Sequence, residues 1–477
     1  MRITTVADLA ELAGGVLHGD AGASVGPDVV VDARRATPGS VFVAIPGEHV
    51  DGHDFTGQAA ANGAAAVIAT RVTDADIAHV VVDDSVGGLS RLASSVVRRA
   101  IADGLTVLAI TGSSGKTSTK DVLAQVLEHA GPTVSPVGSF NNEIGVPLTA
   151  CGVDEGTRYL VSEMGARGIG HLRWLTGLIP PAISLVLNVG SAHLGEFGSV
   201  ENIAIAKGEL VEALSPDGWA VLNADDHRVA AMASRTRGRV AWFTREEAAL
   251  EGELVVRARD IRPDDLQRFS FTLVVERPGV PVAANPVTLR LIGSHHVANA
   301  VAAAAAAVAA GMEPERVAAA LSAAGPRSKW RMQLDERPDG AAVLNDAYNA
   351  NPESMAAALA TLADLGRGRR SVDPSARTIA VLGDMLELGA DAASAHRRMG
   401  RLAADLGIDE VVAVGEYAGD IVAGATAGGT PARALDRSEV AGRIALGAMD
   451  VVLVKASRGV ALEQVADELL AGGPGAC

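Results

Sequence analysis

The residues best placed for chemistry lie in "VLAITGSSGKTSTKDVLAQVL", residues 107 to 127. The common phosphate-loop pattern sets four residues between a leading glycine and Gly-Lys-Ser/Thr. Here Ile110 stands where that glycine would be, and Gly112 precedes Gly115 by only three positions. The pattern still predicts a buried strand ending in Thr111-Gly112 and a helix beginning near Lys116. Backbone N–H groups of Thr111, Gly112, Ser113, Ser114, Gly115 and Ser118, with the Lys116 ammonium, could hold nucleotide phosphates, and the Thr117 hydroxyl could ligate Mg²⁺. A chance Gly-Ser-Ser-Gly turn is the bland alternative. Strand, glycine turn, Lys-Thr and amphipathic helix in that order weigh against it.

Other polar residues fall where a sheet presents its carboxyl edge, the side on which α/β proteins bind ligands. Glu163 ends the run "YLVSEMG" and His193 follows "SLVLNVG". Read alone, each is more often structural, and Lys207 in "AIAKGEL" reads as a solvated helix lysine. Asn351 and Pro352 in "NDAYNANPESM" read as the N-cap and first position of a helix. Arg331 in "WRMQ" reads as a surface cation. Lys455, Ser457 and Arg458, in "VLVKASRG", follow a strand and either converge on a ligand or form an exposed cationic strand end.

Positioning such residues takes several cores. A chain of 477 residues exceeds what one domain usually buries, and about three are expected. Residues 1 to 103 carry short strand-like runs, "VFVAIPG" and "AAAVIAT", before a helical stretch ending at Gly104, a candidate hinge. From 104 to 325, strand-like and helix-like runs alternate, which predicts a mostly parallel sheet with crossover helices. "HHVANAVAAAAAAVAAG" reads as helix because alanine has the highest helix propensity. Gly325-Pro326 marks a second linker, and residues 326 to 477 read as a separate, Rossmann-like α/β domain. The fold class is therefore α/β in three domains, the first small and mixed.

A formal charge of -16 excludes a nucleic-acid backbone or an anionic membrane as the main partner. Two cysteines, Cys151 and Cys477, cannot build a disulfide framework and suit a reducing cytosol. The stretch "MRITTVADLAELAGG" has no long apolar core, and no apolar run approaches the roughly 18 residues of a membrane span. Neither export nor a span is expected.

Thr-Gly-x-x-Gly-Lys-Thr resembles the loop of the Mur ligase family, the ATP-dependent amino-acid and peptide ligases of cell-wall precursor synthesis. "NNEIGVPLT", "SEMGARGIG", "SAHLGEFGS", "AKGEL", "DAYNANPESM", "LGDMLELG" and "VLVKASRG" resemble further family motifs in family order. The resemblance implies a two-step reaction through an acyl phosphate. It implies a catalytic role for Lys116 and magnesium, in two ions, held by Thr117, Glu163 and His193, with Lys207 carbamylated by CO₂ to support a cation. It implies ATP contacts from His296, Asn299, Arg331, Asp346, Tyr348 and Asn349. The region "DARRATPGSVFVAIPGEHVDGHDF" resembles the family's uridine-diphosphate-muramoyl site, with Asp32, Arg34, Gly47 and His53 as candidates, although turn chemistry explains Gly47 and "DGHD" equally well. Asn141 and Asn142 would meet the same substrate.

On this resemblance residues 1–103 bind the muramoyl substrate, 104–325 bind ATP, and 326–477 receive the acceptor. The motifs are most similar to the branch joining D-alanyl-D-alanine to UDP-N-acetylmuramoyl-tripeptide, with a monomeric cytoplasmic enzyme implied. The Asp-Asn-Pro-Arg signature of diaminopimelate-adding members is absent. A diaminopimelate- or lysine-adding ligase and a folylpolyglutamate synthase-like ligase remain the alternatives. Two positions depart from the family pattern: Ala456, where glycine is usual, and "GARGIG", where an Asn-His or similar pair is frequent.

Overall fold

The computed structural model describes residues 1–47, 49–190, 194–247 and 249–472. Three large sheets run in sequence order, beside a two-stranded antiparallel pair of Thr4–Thr5 with Ser24–Val25. The first has the strand order Val16–His18, Ala78–Val81, Ala66–Ala69, Val41–Val43, Val29–Val30, with only the first pair antiparallel. The helix Ser85–Ala102 leaves it, capped by Asp84 through the N–H groups of Val86 and Gly87. Val97, Val107 and Val146 belong to one continuous core, so the first unit packs directly on the central one.

The central sheet has nine strands. Its middle is the parallel set Trp219–Asn223, Ile183–Val186, Thr106–Thr111 and Tyr159–Glu163. Strand Thr106–Thr111 is buried from Val107 onward, as expected for a parallel strand covered by helices on both faces. Against one face lies the helix His295–Ala309. Its residues Ala300 through Ala307 are fully buried, which lets it approach both the sheet and the helix Lys116–Glu128. The alternation expected from the sequence misses one feature. Leu254–Pro263, Arg268–Arg277 and Val280–Ile292 extend this sheet as an antiparallel meander at its edge. Their outward positions mix polar, charged and apolar residues, among them Ser270, Thr272, Val282, Thr288 and Arg290, so they read as neither strand nor helix by apolar content alone.

The third sheet runs Gln333–Glu336, Ala342–Asn345, Val451–Lys455, Thr378–Gly383, Glu410–Val414, Ala432–Ala434, and only its first pair is antiparallel. Separate cores cover its two faces. Helix Pro352–Val372 opens here with Asn351 and Ser354 exchanging capping bonds and proline in its first turn. Cys151 is buried and unpaired, and its thiol is pushed up to about 12 by burial. No described helix is long and apolar enough to cross a membrane.

Candidate active site

A cleft of about 820 Å³ opens between the central and third sheets. Its floor is the turn after strand Thr106–Thr111. Gly115 takes a left-handed backbone with φ of 77°, and a Cβ there would sit 2.7 Å from Asn299 Oδ1, so only glycine fits. The helix it starts has no side-chain cap, so the first-turn N–H groups face the cleft. Asn188 Oδ1 accepts from the N–H groups of both Ser113 and Ser114, each at 2.9 Å, in the position of an anion's oxygen. Sequence reading passed over Asn188; its signal is a polar residue directly after the apolar run "SLVL".

Lys116 folds back, its Nζ donating to the Gly112 carbonyl at 2.7 Å. Burial lowers its pKa, partly opposed by Glu163. Glu163, 1% exposed, accepts from Asn141 Nδ2 at 2.7 Å through one oxygen, while its Oε2 is buried without a partner. Asn299 Nδ2 and His296 Nδ1 are also buried and unpartnered. The rings of His295 and His296 lie 4.3 Å apart. Burial lowers the pKa of His295 to about 4 and that of His296 well below the usual range. Burial thus disfavours the charged form of both rings.

Lys207 is not a solvated helix lysine. It is 3% exposed, and burial, followed by repulsion from Lys116, holds its pKa far below the ordinary lysine value. The low-amphipathicity helix Val200–Glu212 hid this, because lysine beside alanine and glycine reads as a polar face. His193 lies outside the described residues.

The opposite wall comes from the third unit. Arg331 Nη2 donates to Thr117 Oγ1 at 3.0 Å, and its guanidinium lies 4.2 Å from the centre of the Tyr348 ring. Arg331 thus sits on the loop rather than at the free surface. The Tyr348 hydroxyl meets Ser139 Oγ at 2.5 Å across the cleft, and Asn349 also lines it. Lys455 is the last residue of its strand rather than following it, and it is buried. Its Nζ pairs with Asp346 at 2.5 Å and donates to the Asn349 carbonyl at 2.9 Å, while burial lowers its pKa against the opposing pull of Asp346. Ser457 is buried with its Oγ accepting from Leu386 N–H. The surface-cation alternative therefore fails for both. Arg458 is half-exposed and pairs with Glu463. Ala456 has a local reason: a Cβ at Gly383 would lie 2.7 Å from the Ala456 methyl, so the bulk sits on one partner and glycine on the other.

Asn141 and Asn142 line the cleft from the central unit; Asn142 Oδ1 also caps the turn into the next helix by accepting from Gly145 N–H. Asp32, Arg34, Gly47 and His53 lie outside this cleft. Asp32 caps a short turn and pairs with exposed Arg34 at 2.8 Å, which holds the carboxyl near 2. The Gly47 N–H donates to Val50 in a turn. His53 is buried, its Nδ1 bound to Asp51 and its Nε2 accepting from Thr70 N–H.

A phosphate loop with an uncapped helix, a buried acid, a buried low-pKa lysine and a second domain closing with an arginine define a nucleotide-dependent ligase-type site. Family models agree along the chain: "Mur ligase family, catalytic domain" matches 28–114, "Mur ligase middle domain" 110–307, and "Mur ligase, glutamate ligase domain" 330–458. The chain belongs to the Mur ligase family. It is 42% identical to UDP-N-acetylmuramoyl-tripeptide--D-alanyl-D-alanine ligase of Mycobacterium tuberculosis, covering 98% of each chain. Among solved structures it is similar to MurF from Acinetobacter baumannii, with a TM-score of 0.83, 30% identity and 99% of each chain covered. It also resembles MurF ligase from Thermotoga maritima in complex with ADP, with a TM-score of 0.74, 28% identity, and 93% and 97% of the two chains covered.

Proposed function

We propose that this protein joins D-alanyl-D-alanine to UDP-N-acetylmuramoyl-tripeptide, converting ATP to ADP and phosphate and supplying the pentapeptide precursor of peptidoglycan. The observation that carries the reading is full-length similarity to ligases of that name combined with a phosphate loop and cleft complete in this chain. The enzyme acts in the cytoplasm as a monomer, and its product sustains cell shape and division. Residues 1–103 hold the UDP-muramoyl group, with Asp32, Arg34, Gly47 and His53 as its contacts there and Asn141 and Asn142 meeting the same substrate from the central domain; 104–325 hold ATP; 326–477 hold the acceptor.

In the first step a carboxylate oxygen of the tripeptide attacks the γ-phosphorus and the bond to the β-bridging oxygen breaks, releasing ADP. In the second, the dipeptide amine attacks the acyl carbon and loses a proton as phosphate leaves. Such transfer depends on positioning and on neutralising charge. The uncapped helix start supplies N–H donors. Lys116 leaves the Gly112 carbonyl for the phosphates, and Arg331 adds a second cation from the third domain. His296, Asn299, Asp346, Tyr348 and Asn349 bind the rest of the nucleotide, and Lys455, Ser457 and Arg458 flank the acceptor. Water must be excluded before the acyl phosphate forms, which closure of two walls onto one cleft provides.

Magnesium fits the donors present. Glu163 Oε2 is a buried oxygen lacking a partner and Thr117 contributes a hydroxyl, both hard ligands of the kind this ion takes; His193 belongs to the same proposed set. Bound there, the ions would neutralise phosphate charge. Lys207 would support them as a carbamate: burial lowers its pKa and so favours the neutral amine, the form that adds CO₂ with loss of a proton to give an anion.

The deciding experiment is phosphate release with two substrate pairs. UDP-muramoyl-tripeptide plus D-Ala-D-Ala should turn over, and UDP-muramoyl-dipeptide plus diaminopimelate or lysine should not; the reverse pattern overturns the assignment. Lys207→Arg tests the carbamate, since full activity in that variant removes the role.

A further inference from the structure

The helix that begins at the phosphate loop does a second job along its side. Asp121, Gln125 and Glu128 lie four and three residues apart, on one stripe of Lys116–Glu128. Each grips a different residue of the segment leading into the third domain. Gln125 Nε2 donates to the Gly325 carbonyl at 3.0 Å and its Oε1 accepts from the Gly325 N–H at 3.1 Å. Asp121 Oδ2 accepts from Ser328 N–H at 3.2 Å, while its other oxygen pairs with buried Lys120. Glu128 takes Arg327 in a two-bond fork at 2.9 and 2.8 Å.

Three residues beyond Ser328 comes Arg331, between Trp330 and Met332 with φ of 58° and 49°. Left-handed backbone at two non-glycine residues costs roughly 1 kcal/mol or more each and persists only when the surroundings impose it. Arg331 reaches Thr117 from this strained turn, its Nε buried and without a partner. One helix therefore carries the phosphate loop at its start and holds the base of the arginine along its flank.

The three grips differ in what their loss would do. The Glu128–Arg327 pair is about 40% exposed on both sides and contributes little, as surface pairs do. Asp121 is tied to a buried lysine, so its removal disturbs the helix itself. Gln125 is half-buried and neutral, and its reciprocal bonds fix the linker without supporting the core. We infer that Gln125 is a positioning residue, setting Arg331 against the phosphate loop so that phosphoryl transfer, rather than substrate binding, depends on it. The inference rests on the ligase reading above.

The test is a double-mutant cycle in the full chain, with wild type, Gln125→Ala, Arg331→Ala and the double variant assayed for kcat, each KM and the thermal midpoint. Gln125→Ala should lower kcat about tenfold, as displacement of a transfer group does, with KM values within about twofold and the midpoint unchanged. In the Arg331→Ala background the same change should cost less than about twofold. Equal losses in both backgrounds, a raised KM with kcat intact, or a midpoint falling in step with activity would each overturn it. A wild-type protein that releases no phosphate with the proposed substrates would instead strike the ligase reading itself.

Discussion

The two walls of the cleft are built on opposite principles. The central wall keeps polar atoms unsatisfied: Glu163 Oε2, His295 Nδ1 and Asn299 Nδ2 are buried without partners, and the helix after Gly115 is uncapped. The third-domain wall satisfies most of its polar groups, the Nε of Arg331 excepted. Lys455 pairs with Asp346 and the Asn349 carbonyl, Asp346 accepts from Met332 N–H, and Ser457 receives Leu386 N–H. Unmet buried groups cost stability until a ligand arrives, whereas a closed polar network is rigid before one does. The central wall is thus arranged for ligand binding, and the third-domain wall for presenting a fixed surface to it.

That contrast can be broken experimentally. On the central side, Lys116→Ala should reduce phosphate release by about a thousandfold or more, the scale of removing a cation from a transferring phosphoryl group. The thermal midpoint should hold, because the Lys116 ammonium bonds to the Gly112 carbonyl and Glu163 keeps Asn141 as a donor; a collapse in stability would erase the distinction. On the other side, Lys455→Met leaves the Asp346 carboxylate buried without its cation, and the unfolding free energy from denaturant titration should fall by about 3 kcal/mol. An unchanged value would make this wall no scaffold.

The smallest expected effect concerns His295. Its folded pKa near 4 lies below the unfolded value of roughly 6.5, so its stabilising contribution is complete above pH 6.5 and is lost as pH falls toward 4. Compared with His295→Gln, wild type should lose on the order of 2 kcal/mol more between pH 7 and 4.5, a figure discounted because the ring keeps some solvent contact at the cleft. Parallel pH curves for the two proteins would show that burial does not hold the ring neutral.

Sequence reading reached the central wall better than the opposite one, for a physical reason. Phosphate binding needs backbone N–H groups at a strand-to-helix turn, and glycine spacing with Lys-Thr announces that turn locally; the helix does begin at Lys116, and Glu163 does end its strand. The third-domain wall depends on pairs far apart in sequence, Asp346 with Lys455 and Ser139 with Tyr348, and no local pattern shows that Lys455 is buried. Lys207 was hidden likewise, since burial of a helix lysine is decided by what packs over it. The antiparallel meander from Leu254 to Ile292 was missed because one face of it meets solvent. The residues in the first sheet's loops were named by resemblance, and in this structure they lie outside the cleft, bonded to local neighbours.

The alanine helix behind the phosphate loop has a consequence for how the gene can vary. Positions 300 to 307 have no exposed surface, and an added methylene in a tight core typically costs 1 to 3 kcal/mol. In a saturation-mutagenesis library this stretch should therefore be depleted of nearly every larger residue at eight consecutive codons, with no helical periodicity in the depletion. A segment that looks compositionally simple would be among the least replaceable in the chain, and lineages would diverge around it rather than through it.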